Sequence, residues 1–98
     1  MRILLDQNVP LGVRGIVRVG HPERYVTTAY DRRWSNLTNG ALLDAAEAEG
    51  FDLFVTCDQN LAYQQNLRER QIRVVVLWTN RWRSLQAEAG RIEALISA

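Results

Sequence analysis

Apolar and polar residues follow two rhythms along this chain. Four short runs, over 2–5, 25–28, 53–56 and 73–77, are rich in aliphatic, β-branched and aromatic residues and read as buried strands. The last of them, Arg73-Val74-Val75-Val76-Leu77, is nearly continuous valine, which suits a parallel strand covered on both faces. Each run is followed by a longer stretch with apolar residues at helical spacing. A first helix is expected from about Asn8, which would cap it, with Pro10 in the first turn. Its apolar face is Leu11, Ile16 and Val17, and it stops at Gly20 and Pro22. A second runs from Thr38 or Asn39 to Glu49, with Gly50 at the C′ position. A third is capped by Asn60 and reaches about Arg70, with Leu61 and Leu67 facing inward. A fourth begins near Asn80, carries Trp82, Leu85, Ala89, Ile92 and Ile96 along one side, and is weakened at Gly90.

This βαβαβαβα alternation predicts one α/β domain over 1–98: a four-stranded parallel sheet with helices on both faces, in three layers. Right-handed crossovers restrict the topology, and a strand order of 2-1-3-4 puts the first and third strands side by side. The tripeptide Asp-Gln-Asn follows each of those two strands, as Asp6-Gln7-Asn8 and Asp58-Gln59-Asn60. Both aspartates then lie at the carboxyl edge of the sheet, where open α/β sheets bind ligands, and they face each other across the switch point.

Composition narrows the chemistry. Ninety-eight residues, nearly half of them hydrophobic, support a single modest core. No apolar stretch approaches the roughly 18 residues of a membrane span, and no signal-peptide pattern opens the sequence, so a cytoplasmic protein is expected. The single cysteine, Cys57, excludes an internal disulfide, and with only one histidine there is no zinc set. All twelve basic residues are arginine. The missing lysine removes Schiff-base chemistry, the Walker-type phosphate loop and a receiver-type phospho-acceptor site using Asp58.

Magnesium is a hard cation held by one or two carboxylates plus waters. Asp6 and Asp58 meet that minimum, and Asn39 and Asn60 would add neutral oxygens. The plainer reading is that both aspartates simply start the following helices, favoured there by the dipole; the matching contexts argue for a site. Asn8, Asn39 and Asn60 have an equally ordinary reading as N-caps. Arg32-Arg33-Trp34 joins charge to an aromatic, as a nucleic-acid contact would, or else forms a solvated loop anchored by its indole. Trp78 and Trp82 read as core or interface packing, and with the fourth helix they would suit a homodimer. His21 reads as exposed loop.

The opening Met1-Arg2-Ile3-Leu4-Leu5-Asp6-Gln7-Asn8-Val9-Pro10 resembles the start of a small PIN-like family related to VapC-type toxin nucleases. Its members usually begin with a strand and Asp-Glu-Asn-Val/Leu-Pro, and carry Val-Thr-x-Asp-x-Asp-Phe after the third strand. Here Leu37-Thr38-Asn39-Gly40 and Val55-Thr56-Cys57-Asp58-Gln59-Asn60-Leu61 are the similar stretches, so the resemblance spans roughly 1–83. It implies a PIN-like fold and a magnesium- or manganese-dependent endoribonuclease, in bacteria the toxin of a toxin–antitoxin pair. RNA and an antitoxin protein are the implied partners. Asp6 and Asp58 match the family's acids, whereas Gln7, Asn39 and Asn60 stand where relatives carry Glu, Asp and Asp. That leaves a catalytic set of Asp6, Asp58 and Asn39, and one weakly held ion on Asp6, Asp58, Asn39 and Asn60. The amide substitutions also motivate an alternative: a PIN-like module that no longer cleaves and binds RNA or a partner protein.

Overall fold

A computed structural model of the chain describes residues 1–61 and 66–98. Four strands, β1 (Arg2–Leu5), β2 (Tyr25–Thr28), β3 (Leu53–Thr56) and β4 (Arg73–Val76), form one sheet in the order β2-β1-β3-β4 with every pairing parallel. The helices are α1 (Gly12–Arg18), α2 (Asn39–Ala48), α3 (Trp82–Ala87) and α4 (Ala89–Ser97), with a 3₁₀ turn at Leu67–Glu69. The expected α/β architecture and strand order are therefore present. Of the expected third helix, 62–65 lie outside the described residues, and its last stretch is no α-helix but the 3₁₀ turn at Leu67–Glu69, flanked by non-helical Asn66 and Arg70.

Alternation along the strands sorts side chains into two layers. Ile3 and Leu5 of β1, with Leu53 and Val55 of β3, pack under α1, α3 and α4. Leu4 and Phe54 project to the opposite face and pack against Leu42, Leu43 and Ala46 of α2. β1 and β3 are buried on both sides, which is why 3–5 and 53–55 run apolar without a polar alternate. The register sets Leu5 opposite Val55, so the next even positions after both strands continue into the α2 layer.

Two helices start where other chemistry allows. Residues 6–11 form turns, with the Val9 N–H donating to the Asp6 carbonyl at 3.0 Å, and α1 begins at Gly12 instead of near Asn8. The Asn8 side chain is occupied across the sheet, its Oδ1 accepting from the Cys57 N–H at 3.0 Å. In α2 the cap is Thr38, whose hydroxyl accepts from the Ala41 N–H at 3.4 Å, which releases the Asn39 side chain from that duty. Gly50 follows this helix at a φ of 76°, the left-handed conformation its C′ position requires.

The expected fourth helix is two helices broken at Glu88, whose φ of −120° and ψ of 40° are not helical. Leu85, Ile92 and Ile96 are all fully buried, so the apolar stripe survives the break. α1 meets α3 closely: a Cβ built on Gly12 would press well inside van der Waals contact with the indole of Trp82. Gly12→Ala should therefore lower stability by about 1–3 kcal/mol, the usual cost of overpacking. Urea denaturation with an unchanged m-value checks it, and full stability would mean that Trp82 swings aside at no cost.

α4 is tied to the sheet by Arg24, which is only 6 % exposed. Its Nη1 donates to the Val17 carbonyl at 2.9 Å and to Glu93 Oε1 at 2.7 Å, and its Nη2 donates to Ser97 Oγ at 3.2 Å. His21 is half-buried, not an exposed loop residue, and its Nε2 lies 2.9 Å from the same Glu93 oxygen. The Arg24 hydrogen bond holds the Glu93 carboxyl below the ordinary value of 4.5; the Ser97 hydroxyl and the charges of Arg24 and His21 add to it, and burial opposes it. A depressed folded value means that this contribution is present above the unfolded value and lost as pH falls through the folded one. Melting temperature should thus fall on acidification below about 4.5 more steeply in the wild type than in Glu93→Gln. Parallel curves would leave Glu93 out of the acid response.

Candidate active site at the carboxyl edge of the sheet

Asp6 directly continues β1, its N–H donating to the Val55 carbonyl at 2.8 Å. It shares the even-numbered face with Leu4, as Thr56 shares that of Phe54, so both project into the α2 layer. Asp6 is 8 % exposed and Thr56 fully buried. The Thr56 hydroxyl donates to Asp6 Oδ2 at 2.7 Å and accepts from the Asp58 N–H at 3.0 Å. The amide group of Asn8 lies 3.4 Å from the same hydroxyl. One threonine thus connects the two aspartates that the sequence sets 52 positions apart.

Each carboxylate already holds neutral donors. Asp6 Oδ1 accepts from the Gln7 N–H at 2.8 Å. Asp58 Oδ1 accepts from the Asn60 N–H at 2.9 Å, and its Oδ2 accepts from Asn39 Nδ2 at 3.2 Å. Asn39 reaches Asp58 because it is the first residue of α2, whose amino end points at this edge. Asp6, Asn39 and Asp58 line one cleft of about 220 Å³, walled on the apolar side by Ala29, Trp34, Leu37 and Leu42. Gln7 and Asn8 complete its rim. Asn60 is exposed and not among the lining residues; its backbone, not its side chain, meets Asp58.

The two Asp-Gln-Asn copies use their amides differently. In the first, Asn8 clamps β1 to the end of β3. In the second, Gln59 Nε2 donates to the carbonyls of Leu77 and Cys57, tying β3 to the end of β4. Cys57 is half-buried and donates to the Thr79 carbonyl at 3.3 Å. Burial, and secondly the Asp6 carboxylate, push its thiol up to about 11, so it stays protonated at neutral pH and is no nucleophile.

The basic-aromatic stretch divides. Arg32 is packed: its guanidinium lies 4.8 Å from the Trp34 ring centroid and 5.3 Å from that of Phe51, and it pairs with Glu49 at 3.3 Å. Trp34 packs edge-on against Phe51 and forms one cleft wall. Only Arg33 of the three is exposed.

A sequence reading centred on Asp6 and Asp58 overlooks Thr56. Thr56 stands beside Asp6 because the register pairs Leu5 with Val55, which strand adjacency alone does not fix. Among the described residues, no three of His, Cys, Asp and Glu gather as a metal-binding group. The donor chemistry is two carboxylates with partly used lone pairs and nearby amides, which fits one hard divalent cation retaining several waters and not a two-metal centre. Fold and site together define a parallel α/β domain with a threonine-linked carboxylate pair at its strand ends. In comparisons with family models, with curated proteins and with solved structures, the chain matches none. No helix of the described residues is long and apolar enough to cross a membrane.

Proposed function

We propose that this chain is a PIN-like, Mg²⁺- or Mn²⁺-dependent endoribonuclease with an acid-depleted centre. The observation that carries this reading is the convergence of Asp6, Asn39 and Asp58 on one cleft at the carboxyl ends of β1 and β3. Asp6 and Asp58 would hold a single cation, which supplies Lewis acidity and charge neutralisation to a phosphodiester. Thr56 orients the Asp6 carboxylate, and the Asn39 amide orients that of Asp58. Trp34, Leu37 and Leu42 give one side of the cleft an apolar wall, where charge interactions would be stronger than in open water.

The family resemblance of the opening decapeptide supports the same reading, and within it a toxin role opposed by an antitoxin. The test is cleavage of single-stranded RNA by purified protein with Mn²⁺, with Mg²⁺ and with EDTA. Metal-dependent scission is expected, and its absence under all three conditions removes the enzymatic reading. One feature favours a second reading, a non-cleaving PIN-like module that binds RNA or protein. The Asn39 amide already donates to Asp58, easing its negative charge without a cation. No Mn²⁺ uptake by calorimetry at millimolar metal, together with retained RNA binding, would select that alternative.

A further inference from the structure

Beside the cleft, the loop after β2 builds a second hollow lined by Tyr30, Asp31, Arg33, Ser35 and Asn36. Ser35 belongs to both depressions, so they adjoin. A third concavity on the α1 side shares Tyr30 with this hollow and Asp6 with the cleft. Tyr30 therefore stands as a partition at the rim, 75 % exposed. That leaves its ring open to a ligand entering either depression.

The loop is rigidly made. The Asp31 N–H donates to Thr28 Oγ1 at 2.9 Å, the Arg33 N–H to the Tyr30 carbonyl at 3.0 Å, and the Trp34 N–H to the Ala29 carbonyl at 2.8 Å. Its acid is neutralised, because Asp31 pairs with Arg14 at 2.8 Å. Arg33 makes no ion pair among the described residues and is held at a φ of 62°, the one non-glycine residue among them with positive φ. That left-handed conformation is costly for a side chain with a Cβ. Glycine would be easier there, so the conformation points to a use for the guanidinium. The buried Oγ of Ser35 has no hydrogen-bond partner among the described residues.

We infer that this hollow is a nucleotide subsite for single-stranded RNA: an unpaired base stacks on Tyr30, and Arg33 receives the phosphate adjoining the cleft. Every base has a π-face, so stacking on one open ring binds without strong sequence preference. A guanidinium suits a phosphate's planar pair of oxygens. The inference rests on reading the cleft as a phosphodiester centre, and it moves the RNA contact from Arg32 and Trp34, which are packed, to Tyr30 and Arg33.

The test is fluorescence anisotropy with a short fluorescein-labelled single-stranded RNA in EDTA, so that binding is read without metal or cleavage. Tyr30→Ala should weaken binding by about 5- to 150-fold and Tyr30→Phe should largely retain it. Arg33→Gly should weaken binding and reduce the slope of log affinity against log salt by about 0.7. The same Arg33→Gly should raise the melting temperature by releasing the strained backbone, a pairing of opposite signs that a merely structural arginine would not produce. Unchanged affinity in Tyr30→Ala or Arg33→Gly overturns the inference. So does absent RNA binding by the wild type, equal affinity for the same sequence as a duplex, or equal competition by polyglutamate. Failure of the nuclease reading looks different: no cleavage with metal, while Tyr30-dependent binding in EDTA persists.

Discussion

Asp6→Asn and Asp58→Asn should each reduce Mn²⁺-dependent RNA cleavage by about 10²–10³-fold, the range seen when one charge-stabilising group is removed from an active site. Both changes are isosteric. In Asp58→Asn the new carboxamide meets two donors, the Asn60 N–H and Asn39 Nδ2. One of them loses its acceptor, but the site is only half-buried, so water can replace it. In Asp6→Asn the Thr56 hydroxyl has a second acceptor in reach, Asn8 Oδ1 at 3.4 Å. Circular dichroism should therefore show folded protein in both cases, and the loss should lie in cation uptake and cleavage rate. Equal cleavage by the wild type and both variants would trace the activity to a contaminant.

Thr56→Val should cost about 2–3 kcal/mol of stability and cut cleavage about 10-fold or more. Valine matches threonine in shape but removes the hydroxyl. The Asp6 carboxylate loses its 2.7 Å donor and the Asp58 N–H its 3.0 Å acceptor, at a position with no exposure to water. Unpaired buried groups keep their full desolvation penalty, which is larger for an ionised partner. Thr56→Ser should recover most of both properties, since it restores the hydroxyl and loses only a methyl group. A valine variant as stable and as active as the wild type would show that the aspartates do not depend on this residue.

The strands were legible because their apolar runs are bounded by turn residues and their burial on both faces leaves no competing periodicity. β1, β2 and β3 fall where the sequence puts them, and β4 ends one residue early at Val76. Handedness rules narrowed the strand order to a few arrangements, and the expected one, 2-1-3-4, is the one present. Cap positions were less legible. Asn8 and Asn39 have the chemistry of N-caps, yet cross-sheet hydrogen bonds claim one and the cleft claims the other, partners that local sequence does not reveal. The break at Glu88 is equally silent, since the stripe through Leu85, Ile92 and Ile96 continues across it. Arg32 and Trp34 have the composition of a nucleic-acid contact, but Phe51, distant in sequence, recruits both into packing. Asp6 and Asp58 were readable as a pair because an identical tripeptide follows two neighbouring strands.

The doubled face of the sheet has a consequence for the chemistry at its edge. A slip of β3 by a single step against β1 would swing residue 58 into the layer beneath α1 and dissolve the cleft. What forbids the slip is bulk: Phe54 fills the α2 side and Val55 the other, both with almost no exposure. The aim of the two acids is therefore guaranteed by hydrocarbon that never meets a substrate. Exchanging the sizes of residues 54 and 55 would disarm the edge without touching any polar group there.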